Sequence, residues 1–158
     1  MEGLRSAWQE LERADPVSVP GTFDFVQSWA TTRLCDELHV VTIRRGSELV
    51  GLAPFVQAER SLGPVTVRVL QSITKNGFVP GVRALLRPKD ADSSAAALVD
   101  YLTRAEQSWS FVLVNNLRPE CALYRALVAM GEKAGRPPRF GATEHSVTIE
   151  LPRTHEEA

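Results

Sequence analysis

The chain has 158 residues, 44% of them apolar and 23% charged, with a formal net charge of −1. That length suits one domain with a sizeable core, and the balance of residue types excludes a disordered chain. Near-neutral charge provides no electrostatic footprint for nucleic acid or an anionic membrane, and no segment approaches the ~20 apolar residues that span a bilayer.

The opening MEGLRSAWQELER is amphipathic, unlike the basic-then-apolar profile of a secretory leader. With two cysteines, Cys35 and Cys121, too few for a disulfide framework, the expected location is cytoplasmic. Leu4, Ala7, Trp8 and Leu11 recur at helical spacing and predict a surface helix with one buried stripe, ended by Asp15-Pro16. Thr22 can cap a second helix that turns Phe25, Val26 and Trp29 inward and fades near Cys35.

The stretch Glu37–Val56 then reads as two strands joined by a tight turn at Arg45-Gly46-Ser47, where glycine takes positive φ at no steric cost. Leu38, Val40, Ile43, Leu49, Val50, Leu52, Phe55 and Val56 are dense enough to predict strands covered on both faces. Pro54 cannot donate to a ladder, so it marks an edge or a bulge. After a Gly63-Pro64 turn, Val65, Val67 and Val69 alternate with Thr66 and Arg68, a strand with one wet face.

Residues Gln71–Gly81 are loop-like and carry Asn76-Gly77 and Pro80-Gly81, and a short strand is expected over Val82–Leu86. Asp92 or Ser93 can cap a third helix reaching about Gln107, with Ala96, Leu98, Val99 and Leu102 inward. Trp109–Val114 predicts a dense apolar strand ended by Asn115-Asn116. A last helix should start near Pro119 and close at Gly135 in a left-handed cap, followed by a strand over Ser146–Leu151. The order α-α-β-β-β-(β)-α-β-α-β predicts an α/β (α+β) fold: one mixed, mostly antiparallel sheet flanked by helices on both faces.

Several residues can carry chemistry, each beside a plainer reading. Lys75 and Asn76, in the loop Ser72–Gly77, could line a pocket between strands, or belong to a solvated Asn-Gly turn. Asn115 and Asn116, at the carboxyl end of a strand, could orient a substrate amide or carbonyl, or satisfy their own backbone. These four are the candidate substrate-binding residues. Glu144 and His145 are adjacent on an extended chain and point to opposite faces, which opposes joint general-base work. Cys35 and His39 have helical ligand spacing but no second ligand pair, so no metal site is expected. No G-x-S-x-G elbow is present to activate a serine, and no catalytic or cofactor-binding residue is assigned.

Trp8 and Leu11, Phe23 with Trp29, the phrase SELVGLAPF over Ser47–Phe55, the strand WSFVL over Trp109–Leu113 and SVTIELP over Ser146–Pro152 together resemble a known family. It is the GNAT (Gcn5-related N-acetyltransferase) superfamily, in particular the N-terminal half of bacterial cellulose-biosynthesis (CelD-type) tandem acetyltransferases related to the Fem aminoacyl transferases. The likeness spans nearly all of this chain but about half of such a protein. It implies one GNAT-like domain over residues 1–152, with 153–158 a frayed tail or the start of a missing second half. It further implies acetyl-CoA or another acyl-CoA as cofactor of the full protein, and as partner a second GNAT-like half or a second copy in a homodimer.

The family's glycine-containing pyrophosphate loop has no counterpart at Leu86–Ser94, LRPKDADSS, which holds a proline and two aspartates where small residues and backbone N–H groups are needed. The expected role is therefore the non-catalytic or acceptor-side half of an acyl-CoA-dependent N- or O-acetyltransferase. The alternative from another class is an interaction or dimerisation module.

Overall fold

The computed structural model describes residues 2–14, 21–32, 37–73, 84–104, 108–115, 117–135 and 138–139. A short 3-10 turn, Glu2–Leu4, leads into α1 (Arg5–Ala14), and α2 spans Phe23–Thr32. Then come β1 (Glu37–Arg45), β2 (Glu48–Leu62), β3 (Val65–Ser72) and the two-residue β4 (Leu85–Leu86). A 3-10 turn over Pro88–Asp90 opens α3 (Ala91–Thr103), followed by β5 (Phe111–Leu113) and α4 (Ala122–Ala134). The expected class holds: one mixed, mostly antiparallel sheet in the order β1-β2-β3-β5, with β4 also paired to β2.

The helices divide between the two faces because β2 places alternate side chains on opposite sides. Leu52 and Val56 meet Trp8, Leu11, Phe23 and Val26 of the first two helices, with Ile73 and Leu85. Ala53 and Phe55 meet Leu98, Val99 and Leu102 of α3 and Leu123 of α4 on the other side. Trp8 is fully buried and satisfies its indole N–H on the Gly21 carbonyl at 3.2 Å, with Phe23 edge-on at 5.5 Å between centroids. Truncating such a side chain to alanine costs about 3–5 kcal/mol.

Local chemistry sets the element ends. Gly46 has φ +62° at the β1–β2 turn and Gly63 φ +63° at the β2–β3 turn, where a β-carbon would be strained. The Thr22 hydroxyl accepts the Phe25 N–H at the start of α2, as its position predicts, and Glu12 of α1 accepts the Phe23 N–H at 2.7 Å. Gly135 closes α4 in the left-handed region, also as expected.

Four expectations need correction. β1 is not covered on both faces: Thr42, Arg44 and Arg45 are exposed, because β1 is an edge of the described sheet and only β2 is buried through its first half. The third helix starts earlier, at Ala91, since the Pro88 turn already sets its first φ; Asp90, not Asp92 or Ser93, is the residue before it. Its inward alanine is Ala95, and Ala96 is exposed. The last helix starts at Ala122 behind a turn at Pro119-Glu120, its N-terminus met by the Cys121 sulfur rather than by the proline. β5 is confined to Phe111–Leu113 and leaves both of those residues half exposed. The expected strand at Ser146–Leu151 lies outside the described residues.

Candidate functional site

β2 is flanked on one side by β1 and on the other by two strands placed end to end. β4 pairs at Gly51↔Leu86 and Leu52↔Leu85, and β3 takes over at Phe55↔Ser72. Between them Ala53 and Pro54 have no described partner strand on that side. Proline, with no N–H to offer, suits such an interruption. A bulge precedes it: Ile43↔Gly51 is followed by Arg44↔Leu49, so Val50 has no partner on β1, and its carbonyl instead accepts the Arg87 N–H at 2.9 Å. The bulge thereby seats the turn that opens α3.

A cavity of about 250 Å³ occupies the interruption. Its floor is Ala53, Pro54 and Phe55 of β2; Leu86 and the segment opening α3 form one wall, and the start of α4 from Leu117 to Leu123 forms the other. Ser72 and Asn115 stand where β3 and β5 end. These strands form the only parallel pair among the described residues, Val69↔Phe111 through Gln71↔Leu113, so the cavity lies beyond the carboxyl ends of parallel strands. In open α/β sheets ligands sit at that position.

The polar lining is sparse. Ser72 is 2% exposed and its hydroxyl oxygen accepts the Asn115 N–H at 3.0 Å. The hydroxyl hydrogen has no acceptor among the described residues. Cys121, half-buried and unpaired, accepts the Tyr124 N–H at 3.4 Å. Arg118 is the one charged residue of the lining among the described residues, exposed at its rim, and none of the ion pairs between described residues engages it. Among the described residues no acid and no histidine lines the cavity.

The wall at α3 is held by charge. Arg45 bonds Asp90 at 2.5 Å and Glu48 at 3.3 Å, while Arg87 bonds Glu48 and also the Leu49 carbonyl. The Arg87 hydrogen bond, then that of Arg45, holds the Glu48 carboxyl below the usual carboxylate range. Glu48 and Asp90 in turn raise Arg45. One oxygen of Asp90, Oδ2, is buried without a partner among the described residues.

Of the four sequence candidates, Asn115 lines the cavity, whereas Lys75, Asn76 and Asn116 lie outside the described residues, as do Glu144 and His145. His39 is on β1 in a ring cluster, 3.0 Å from the Tyr101 hydroxyl and edge-on to Trp109, away from the cavity; Cys35 is outside the described residues. Among the described residues no group of three metal-ligating side chains occurs. Sequence reasoning reached Ser72 only as the first residue of the loop Ser72–Gly77 that could line a pocket, and missed Arg118 and Cys121. The available signal was the break at Pro54, which marks where pairing on β2 changes hands. The stretch leaving the carboxyl end of β3 is residues 74–83, TKNGFVPGVR, which carries Gly77 and Gly81 and lies outside the described residues. Leu86–Ser94 therefore follows β4, not the parallel strand β3.

No helix among the described residues is long and apolar enough to cross a membrane. Comparison with protein-family models, with curated proteins and with solved structures finds no match for this chain.

Proposed function

We propose that this chain is a cytoplasmic GNAT-like domain of an acyl-CoA-dependent acyltransferase, the acceptor-side, non-catalytic half of a tandem protein. In that role it shapes a cleft for a substrate while a second GNAT-like half holds acetyl-CoA or another acyl-CoA and performs N- or O-acetyl transfer. The observation that carries the reading is the cavity beyond the parallel pair β3/β5, lined mostly by apolar side chains and, among the described residues, by no acid or histidine. A pocket of that kind can hold and orient a small molecule but has no group poised to take a proton near neutral pH. Titration of the chain with acetyl-CoA and with coenzyme A in a calorimeter tests it. Neither should bind with micromolar affinity, and micromolar binding of either overturns the non-catalytic role.

A second reading, an interaction or dimerisation module, is favoured by one feature. Leu62, Val65, Phe111 and Leu113 are each about half exposed, at 54%, 56%, 50% and 48%. Val65 and Phe111 share a sheet face with Val69, because β3 alternates and Val69 pairs with Phe111. Apolar surface grouped in this way suits a partner chain.

A further inference from the structure

We infer that the cavity is a binding site for a compact apolar monocarboxylate, its carboxylate read by Arg118 and the Ser72 hydroxyl. This goes beyond the acyl-transfer reading and rests on the cavity alone.

Size comes first. A dry cavity of roughly 150 Å³ accommodates benzene, so 250 Å³ accommodates a ligand of about ten non-hydrogen atoms by the same scale. A nucleotide or a long lipid chain is larger than that volume. Polarity comes second. Ala53, Pro54, Phe55, Leu86 and Leu123 offer an apolar body nothing but van der Waals surface. Ser72 is nine-tenths buried and more, and its oxygen is already engaged by the Asn115 N–H. Among the described residues nothing accepts its O–H, a donor that calls for an acceptor atom on the ligand.

Charge comes third. Among the described residues the lining has one ionised side chain, and it is positive. Of the acids in the segment opening α3, Asp90 bonds Arg45 through one oxygen, and Asp92 bonds Arg125 at 2.5 Å. Arg118 sits in the turn that enters α4, so a carboxylate beside it also lies toward the positive end of that helix. An acceptor atom, a negative head and an apolar body of this size together describe a short-chain or aryl-substituted carboxylic acid.

The test uses the whole chain with hexanoate, hydrocinnamate, hexanamide, hexylamine and palmitate as probes. Cys121 lines the same cavity, so the rate of its alkylation by iodoacetamide, followed by peptide mass spectrometry, reports occupancy beside direct titration. Hexanoate and hydrocinnamate should bind with dissociation constants between about 10 µM and 1 mM and slow the alkylation of Cys121. Hexanamide should bind about fivefold more weakly, a modest margin because Arg118 is solvent-exposed. Arg118→Met, an exposed position that leaves the fold intact, should erase the difference between hexanoate and hexanamide. Ser72→Ala should weaken both about tenfold, and Ser72→Thr should recover most of the loss.

Failure of hexanoate to protect Cys121 overturns the proposal. So does hexylamine or palmitate binding as tightly as hexanoate, or a carboxylate preference that survives in Arg118→Met. If Ser72→Ala fails to fold, the Arg118→Met comparison decides alone. No probe carries a nucleotide or a thioester, so the result is independent of the coenzyme A titration.

Discussion

Gly51 shows how closely a single residue is tied to the sheet interruption. A β-carbon there would stand 2.9 Å from both the Ile43 and Leu86 side-chain ends and 3.4 Å from the Leu85 carbonyl. Both ends belong to flexible side chains that can turn aside, and the carbonyl is near ordinary contact distance. Gly51→Ala should therefore cost no more than about 1 kcal/mol, the low end of overpacking, read as a small drop in urea midpoint at unchanged slope. Nothing in the phrase LVGLAPF distinguishes this glycine from a bulge glycine, because its neighbour across the sheet, Leu86, is 35 residues away in a segment with little periodicity. Glu48 belongs to the same scale. Its carboxylate is bonded to Arg87 and Arg45, so the unfolded chain takes up a proton there more readily than the folded one. The stabilisation is complete above the ordinary glutamate value of about 4.3 and is lost as pH falls through the lower folded-state value. Glu48→Gln should therefore flatten the acid limb of a stability-against-pH curve and leave the neutral region nearly level. Added salt should narrow the gap, because the pair is solvent-exposed.

At the scale of elements, the helices were legible because each carries its own amphipathic period. Trp8 and Leu11, Val26, and Leu98, Val99 and Leu102 are buried where spacing places them, whereas Phe25 and Trp29 are only partly buried and Phe23, which spacing did not single out, is buried in α2. The strands were legible in kind but not in burial. Apolar density alone could not tell β2, buried through its first half, from β1 or β5, since neighbours and not composition cover a strand. Helix starts shifted for a related reason: a proline turn preset the entry to α3, and a sulfur rather than a hydroxyl met the N-terminus of α4. The half-exposed pair on β5 carries a prediction here. Phe111→Lys and Leu113→Lys replace apolar side chains that are half exposed. Each should change the urea midpoint by less than about 0.5 kcal/mol. If the native chain self-associates through this face, each should lower the mass seen by light scattering at high concentration. A native chain that stays monomeric across that range excludes the dimerisation module.

For the molecule as a whole, the decisive feature is that two helices cover each face of a sheet whose middle strand changes partners halfway. The cavity exists only because β4 and β3 stop short of each other beside Pro54, while the starts of α3 and α4 converge over the gap. Of the candidate residues read from the chain, Asn115 reached that place on a local argument, the end of a strand, which the fold then aligned with β3. Ser72, Arg118 and Cys121 carry no local signature: a serine ending a strand, an arginine in a turn and a cysteine before a helix are ordinary alone. Sequence by itself determined the layer class, the two turn glycines, the buried helical stripes and the break at Pro54, since each follows from steric or solvation preferences of a few adjacent residues. Only the tertiary structure decided which strands run parallel, which faces are covered and which three side chains meet at the cavity. Those outcomes depend on contacts between segments some 45 residues apart, such as Ser72 and Arg118, which no local preference encodes.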